Sequence, residues 1–222
     1  RKEGKINMVW ACIISGIIAY LLGSISFSII FTKKIAGFDV RQKGSGNAGS
    51  TNVLRTAGKK PAILTLICDI LKGVIAIFIA YLIGRIFNFD IQSSAMLVQI
   101  AGICVVIGHT FPVFFGFKGG KGVATALGVL LVTNWQIGLI CLVFALVLMA
   151  LTRIVALGSI AAAILFPVLC FFITNNYLVG DSSTRMSYLV FGIIMAVIVI
   201  FNHRSNIQRM ASGKGNRLIF KK

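Results

Sequence analysis

The stretch Gly44–Gly58, GSGNAGSTNVLRTAG, holds residue types that are well suited to binding an anion. Glycine lets the backbone turn its N–H groups toward a ligand, and consecutive N–H groups in such turns form an anion-binding concavity. Arg55 adds a planar guanidinium that can donate two parallel hydrogen bonds to a phosphate. The predicted ligands in this stretch are Gly44, Ser45, Gly46, Asn47, Thr51, Asn52 and Arg55. A flexible loop between two helices is the simpler interpretation, and composition alone leaves it open.

A second glycine-rich stretch, Gly108–Thr125 (GHTFPVFFGFKGGKGVAT), leads directly into an apolar, helix-like run. In this stretch Lys121 is surrounded by Gly119, Gly120 and Gly122. A glycine turn at a helix N-terminus offers free N–H groups and the positive end of the helix dipole to an anion. The spacing is not that of a Walker A loop, because Gly122 stands where that loop needs Ser or Thr. The stretch therefore predicts a phosphate site without a nucleotide.

A third polar stretch follows the last apolar run, where Asn202–Lys222 begins with the residues NHRSNIQRM. If it returns to the same membrane face, His203, Arg204 and Asn206 can meet the two glycine-rich stretches. A histidine at a helix end is more often a structural hydrogen-bonding group than a catalyst. The same reasoning predicts a structural role for His109, whose neighbours are apolar.

The composition is that of a protein embedded in a membrane. Of the 222 residues, 58% are apolar and only 12% are charged, and a soluble domain of this length has no interior large enough for so much apolar surface. The net charge of +17 fits basic cytoplasmic loops, and no soluble basic face with aromatic residues points to nucleic acid. The five cysteines lie in apolar runs and are interpreted as small buried hydrophobic residues, so we expect neither a bound metal nor a cofactor.

The alternation of apolar and polar segments predicts an all-α integral membrane protein with a bundle of about seven transmembrane helices. Most of the Lys and Arg residues fall in Thr32–Lys60, Thr110–Lys121, Arg153 and Asn202–Lys222. Placing these segments in the cytoplasm requires an odd number of crossings, with the N-terminus outside and the C-terminus cytoplasmic.

The chain is expected to form one membrane-embedded domain, residues 1–222, that works as a monomer in the lipid bilayer. This domain has a short N-terminal tail (1–8) and a cytoplasmic C-terminal segment (202–222).

Two ionisable residues, Asp69 and Lys72, lie three positions apart inside the second predicted span. Charged groups at that depth are unfavourable unless they pair or face a polar cavity. Residues at this spacing share one helix face, so we predict a structural ion pair.

Taken together, these motifs resemble the three motifs of the bacterial acylphosphate:glycerol-3-phosphate acyltransferases (PlsY type). The resemblance rests on GSGNAGSTNVLR with Asp69 and Lys72 downstream, on GHTFPVFFGFKGGKGVAT, and on HRSNIQRM, in this order over nearly the whole chain. One position departs from the family pattern: Gly215 stands where the family usually carries an acidic residue.

The resemblance implies transfer of a fatty acyl group from an acyl phosphate to the 1-hydroxyl of glycerol 3-phosphate, which yields lysophosphatidate and phosphate. The site would face the cytoplasm at a bacterial plasma membrane. The implied catalytic residues are Ser45, Arg55, Lys121, His203 and Asn206, and the implied phosphate ligands include Gly119, Gly120, Gly122 and Arg204. The general base is left open between His203 and a phosphate of a substrate, with the phosphate preferred.

The alternative is a membrane transporter or channel for a small phosphorylated anion. Broken helices and glycine loops at depth are transporter features. Against this alternative, the polar groups collect on one predicted face, and no inverted repeat is visible. A phosphatidyl-type transferase would need clustered metal-binding Asp residues, but the four are scattered as Asp39, Asp69, Asp90 and Asp181.

Overall fold

The computed structural model describes residues 2–172 and 184–215, with side chains from Met8 onward. This part of the chain is helical, with two short 3₁₀ turns at Val40–Gln42 and Val113–Phe115. Its α-helices are α1 (Lys2–Gly23), α2 (Phe27–Ala36), α3 (Ser50–Ala57), α4 (Lys59–Ile86), α5 (Ile91–Thr110), α6 (Val123–Thr133), α7 (Trp135–Thr152), α8 (Val155–Phe172), α9 (Arg185–Asn202) and α10 (Arg204–Ala211). Most of the segment between α8 and α9 and the basic end of the chain lie outside the described residues.

Within the described residues, six segments are long and apolar enough to cross a membrane. They are Met8–Ala36, Lys59–Ile86, Ile91–Phe115, Trp135–Thr152, Val155–Phe172 and Arg185–Asn202. The expected count of about seven is not confirmed, because the remaining apolar helix, α6, has only 11 residues. At about 1.5 Å per residue, α6 spans roughly half of a hydrocarbon core about 30 Å thick. Large apolar side chains face outward along the spans, such as Trp10, Phe78 and Val143.

The helix ends follow from local sequence. The first membrane-spanning segment is interrupted: α1 ends at Gly23 and α2 begins at Phe27. The helix α1 begins at Lys2, within the expected N-terminal tail of residues 1–8. Asn134 separates α6 from α7, and its side chain accepts a hydrogen bond from the backbone N–H of Ile137 at 3.0 Å. This is the usual way in which an asparagine begins a helix.

Three pairs of helices form antiparallel hairpins: α4 with α5, α6 with α7, and α8 with α9. The close approaches that show this are Gly84 to Ser94, Gly138 to Leu130 and Gly192 to Pro167. In each hairpin the second helix runs back toward the side of the bundle on which the first begins. The starts of α4, α6 and α8 therefore lie on the same side of the bundle as the ends of α5, α7 and α9.

Helices α4 and α6 approach each other through glycine. A Cβ atom at Gly128 would lie 2.1 Å from the carbonyl oxygen of Ile70, and one at Gly73 would lie 2.4 Å from that of Thr125. Real Cβ atoms do not come so close to a backbone oxygen, so both positions require glycine at this separation. Small residues allow membrane helices to pack with their backbones in contact. The contact brings the start of α6 beside the buried Asp69 and Lys72 of α4.

Candidate active site

A cavity of about 1060 Å³ extends from the glycine-rich loops into the space between α6, α7, α8 and α9. Its lining divides by residue type. The polar part comes from both loops and from the residues after α9, including Ser45, Lys121 and His203. The apolar part comes from helix interiors, including Leu130 and Phe166. A cavity of this size and polarity suits a ligand with a charged head and a long apolar tail.

The first loop is the part of the glycine-rich stretch Gly44–Gly58 that precedes α3. Its conformation is held by the side chain of Asn52, which is almost fully buried. Its Oδ1 accepts a hydrogen bond from the backbone N–H of Ser45 at 2.9 Å. Its Nδ2 lies 3.0–3.1 Å from three backbone oxygens, those of Val40, Lys43 and Asn47. Asn52 was expected to donate to a ligand, but in this structure its amide is engaged within the loop. Gly44 is required here, because it has a φ of +63° and its Cβ would lie 2.3 Å from Asn52 Oδ1.

The second loop also differs from the expected anion cradle. The N–H of Gly119 donates to the oxygen of Thr110 at 3.0 Å, and that of Gly120 donates to the oxygen of His109 at 3.1 Å. These two N–H groups cap the last turn of α5. They are therefore engaged within the protein and are not directed at a phosphate, contrary to the prediction. The free N–H groups are instead those of the first turn of α6, at Val123–Thr125, which have no partner inside the helix. Gly122 precedes that turn with a φ of +82°.

An ion pair that sequence reasoning did not single out holds the two loops together. Arg41 forms a bidentate ion pair with Asp39, with Nε–Oδ1 and Nη2–Oδ2 distances of 3.0 and 2.8 Å. The hydrogen bond from Arg41 holds the pKa of the Asp39 carboxyl below its usual range. The same guanidinium donates to the oxygen of Phe115 at 2.6 Å, across to the second loop. A further link runs from the N–H of Ala48 to the oxygen of Gly119 at 3.3 Å.

The positive charge of the site is concentrated at Arg55, Lys121 and Arg209. Asn206 Oδ1 accepts hydrogen bonds from Lys121 Nζ and, at 3.3 Å, from Arg209. Burial, followed by the charges of Arg209 and Arg55, lowers the pKa of Lys121 to about 8. Burial and the charge of Arg209 likewise lower the pKa of Arg55. Arg209 was missed from sequence, although it lies one helical turn after Asn206 and therefore on the same face of α10.

His203 lies between α9 and α10 and is buried. Its Nδ1 is 2.8 Å from the carbonyl oxygen of Val199. Because a carbonyl oxygen can only accept, this contact assigns the proton to Nδ1 and leaves a lone pair on Nε2. Burial, followed by the charge of Lys121, lowers the pKa of His203 to about 4. The imidazole is therefore neutral near neutral pH, and its Nε2 can accept a hydrogen bond from a hydroxyl group.

The other predicted residues also contribute to the cavity. Gly46, Asn47 and Thr51 join Ser45 in the lining. Arg204, an expected phosphate ligand, lines the cavity as well, although its side chain is exposed. Its guanidinium lies 4.5 Å from the ring centre of Phe201 and donates to that residue's backbone oxygen at 3.2 Å.

The predicted pairing of Asp69 with Lys72 is confirmed, with 2.9 Å between Asp69 Oδ1 and Lys72 Nζ. The structure adds His109 to the pair, since its Nδ1 lies 3.5 Å from the same carboxylate oxygen. Asp69 and His109 also line the cavity. This buried cluster, Asp69–Lys72–His109, therefore borders the site.

The fold and the cavity together define a polytopic membrane protein that presents a glycine-rich, cationic site beside an apolar chamber. Comparison with known proteins identifies the family. The family model for glycerol-3-phosphate acyltransferase matches residues 13–213. A glycerol-3-phosphate acyltransferase of Clostridioides difficile (strain 630) is 41% identical over 214 residues, which cover 96% of this chain and 98% of the relative. Another, from Thermoanaerobacter sp. (strain X514), is 43% identical over 207 residues, which cover 93% and 95% of the two chains.

Solved structures point to the same family. The crystal structure of PlsY (YgiH), an integral membrane glycerol 3-phosphate acyltransferase, in its glycerol 3-phosphate form is similar with a TM-score of 0.79 at 38% identity, covering 94% of this chain and 96% of that one. The lysophosphatidic acid form gives a TM-score of 0.77 at 36% identity. The chain therefore belongs to the glycerol-3-phosphate acyltransferase family. It is an integral membrane acyltransferase, and the comparisons favour this function over a transporter.

The lowered pKa of Lys121 predicts a loss of activity at alkaline pH. A lysine is charged below its pKa, so the cation is lost as the pH rises through about 8. We expect kcat/KM to fall in that range for the native enzyme. Lys121→Arg should abolish this alkaline limb, because a guanidinium stays charged, even if the variant is slower overall. Initial rates across the alkaline range measure this.

Lys118→Arg, at a neighbouring lysine that also lines the cavity, is the matched control and should keep the native limb. An alkaline limb that is unchanged in Lys121→Arg would contradict the assignment to Lys121.

Proposed function

We propose that this enzyme transfers the acyl group of an acyl phosphate to the 1-hydroxyl of glycerol 3-phosphate, giving 1-acylglycerol 3-phosphate and inorganic phosphate. The observation that carries the proposal is the placement of Arg55, Lys121 and Arg209 at one cavity whose remaining walls are apolar. An acyl phosphate has an anionic head and an apolar tail, and glycerol 3-phosphate is a second anion of the same kind.

The charges support a site that holds two phosphates at once. A phosphate ester carries about −1.5 to −2 charges near neutral pH, so the two substrates repel each other strongly. One opposite charge at about 4 Å offsets roughly 4 kcal/mol of that repulsion at an effective dielectric constant near 20. The three cations, with the first turn of α6, supply attraction of the required size.

The chemistry needs little activation from the protein. In an acyl phosphate the carbonyl carbon is bonded to a good leaving group, so the attacking hydroxyl oxygen forms the new C–O bond directly. The tetrahedral intermediate then collapses, the bond to the phosphate oxygen breaks, and inorganic phosphate leaves. We assign no covalent intermediate to Ser45; its hydroxyl is proposed to donate a hydrogen bond to a substrate oxygen. Arg55 and Lys121 are proposed to hold the phosphates, with Asn206 positioning Lys121.

We further propose that a substrate phosphate takes the proton of the attacking hydroxyl. A group acts best as a general base when its pKa is near the working pH. The pKa of His203 is about 4, whereas the second pKa of a phosphate ester is about 6. Nε2 of His203 is then the acceptor that orients the hydroxyl, and the phosphate is the stronger base.

The site is proposed to open to the cytoplasm of a bacterial cell. The hairpin pattern supports this, since the polar connections of α3 with α4, α5 with α6 and α7 with α8 all lie on one side. Most of the Lys and Arg residues fall in these connections and after α9, and basic loops stay in the cytoplasm. We also propose a monomer, because one chain supplies the cavity lining described above; the mass of the purified protein in light scattering tests this.

The donor is tested with purified enzyme, palmitoyl phosphate and labelled glycerol 3-phosphate. We expect labelled lysophosphatidate and an equal amount of inorganic phosphate, with no loss of rate in a metal chelator. Lys121→Ala, which lacks one charge-assisted contact, should lower kcat/KM roughly 30- to 1000-fold. Comparable turnover with palmitoyl-CoA would refute the assigned donor, while membership of the family would stand.

The proposed base predicts which group sets the acid limb of the pH profile. As the pH falls through about 6, the phosphate is protonated and can no longer accept the proton, so the rate should fall. His203→Asn should keep measurable activity with the same acid limb, because the carboxamide oxygen can still orient the hydroxyl. A phosphonate analogue of glycerol 3-phosphate, with a shifted second pKa, should move the limb. A limb that ignores the analogue and disappears with His203 would show that His203 is the base.

The orientation is tested by labelling cysteines placed at Lys43, Lys118 and Lys214 in a background without native cysteine. A reagent that cannot cross the membrane should label them only from the cytoplasmic side. A cysteine at the exposed Phe87, in the connection between α4 and α5, is the control and should react from outside. External labelling at Lys43, Lys118 or Lys214 would overturn the proposed orientation.

A further inference from the structure

We propose that Lys72, Asp69 and His109 form a positioning relay that fixes Gly120 and, through it, the catalytic Lys121. The inference rests on the role of Lys121 in the proposed function. It assigns a catalytic consequence to a buried cluster that sequence reasoning interpreted as purely structural.

The relay begins at the break between α1 and α2. Lys72 Nζ donates to the carbonyl oxygens of Gly23 and Ile25 at 3.1 and 3.0 Å, and it lies 2.9 Å from Asp69 Oδ1. The two carbonyl oxygens accept two of the three ammonium hydrogens, and the carboxylate attracts the positive charge. Lys72 is 2% exposed. Its position is therefore fixed by the end of α1, by the break that follows it and by the charge of Asp69.

The second member is a carboxylate in a site that attracts anions. Asp69 is the only acidic residue among the described residues that line the cavity. It is 2% exposed. A negative charge there opposes phosphate binding unless a cation neutralises it, which Lys72 does. The same oxygen, Oδ1, lies 3.5 Å from His109 Nδ1. Asp69 therefore connects a fixed ammonium to an imidazole without adding net negative charge to the site.

The third member lies directly beneath the second loop. A Cβ atom at Gly120 would lie 2.1 Å from His109 Nε2 and 2.8 Å from the oxygen of Ala48. The ring of His109 thus occupies the space where both glycine-rich loops meet. The backbone oxygen of His109 also accepts the N–H of Gly120 at 3.1 Å. A change in the ring position must displace Gly120, because no free space separates the two.

Lys121 follows Gly120 directly, and its Nζ contacts Asn206 Oδ1. A displacement of Gly120 therefore moves the ammonium relative to Asn206 and to the bound phosphate. Misplacing a catalytic group by about 1 Å can lower the rate on the order of 100-fold. The relay is expected to act on the rate through this displacement.

The test is a double-mutant cycle on kcat/KM with palmitoyl phosphate as donor. His109→Leu removes the ring nitrogen, and His109→Asn keeps an N–H that can reach Asp69. We expect His109→Leu to lower kcat/KM about 10- to 100-fold per folded molecule and His109→Asn to recover part of that loss. In the Lys121→Ala background, the effect of either change should shrink to less than about 3-fold, because positioning matters only while Lys121 is present.

Gln99→Leu is the matched control. Gln99 is a buried polar residue of the same helix, α5, and its amide donates to Ser187 at 3.0 Å, in a region outside the cavity lining. This change should leave kcat/KM per folded molecule close to native in both backgrounds. Thermal unfolding of each variant supplies the folded fraction used for normalisation.

An equal fold-loss for His109→Leu with and without Lys121 would overturn the proposal, since the cluster would then act independently of that residue. Should His109→Leu fail to fold, His109→Asn carries the same cycle. If native enzyme uses a different acyl donor, the proposed donor fails, and the cycle measured with that donor still decides the relay.

Discussion

The carboxamide oxygen of Asn206 accepts hydrogen bonds from two cations, Lys121 and Arg209, and the polar half of the site depends on this contact. Two like charges about 4 Å apart repel by roughly 4 kcal/mol at an effective dielectric constant near 20. A neutral acceptor between them permits the close approach without cancelling either charge. A carboxylate in the same place would neutralise one cation and weaken the attraction for phosphate. The arrangement is therefore most favourable when an anion is bound.

Such a concentration of charge is compatible with a membrane protein only because the fold delivers each group at a helix end. Lys121 precedes α6, Arg55 lies in the last turn of α3, and Arg209 lies in α10 beyond the last span. The hairpins bring these ends to one side of the bundle, and the glycine contacts between α4 and α6 allow α6 to start close to α4. Within the described part of the spans, the buried charges of Asp69 and Lys72 are paired with each other.

Much of this organisation could be predicted from sequence because it depends on composition and local pattern. The all-helical membrane class follows from hydropathy, and the pairing of Asp69 with Lys72 follows from spacing and the unfavourable energy of burying an unpaired charge. The number of membrane spans could not be predicted in the same way, because α6 is apolar throughout but has only 11 residues. Hydropathy reports the character of a helix, whereas its depth in the membrane depends on the packing of its neighbours.

The details of the site could not be predicted, because they depend on which partner each donor finds. Glycine composition indicated free N–H groups at Gly119 and Gly120, but these groups donate to the end of α5. Asn52 was expected to face a ligand, and its amide instead holds the first loop. Arg209 lacked any distinguishing local signal except its spacing from Asn206. A sequence lists donors and acceptors, and only the tertiary fold decides how they are paired.

In the proposed mechanism, the cations that bind the phosphates also determine which group can act as the base. Burial, followed by the charge of Lys121, lowers the pKa of His203, so the imidazole stays neutral and its Nε2 can accept a hydrogen bond. Positive neighbours also favour the dianionic form of a bound phosphate, the form that can take a proton. Because the apolar chamber holds the acyl tail and excludes water, the hydroxyl of glycerol 3-phosphate meets little competition for the carbonyl carbon. Binding of two anions and selection of the base are thus consequences of the same cluster of charges.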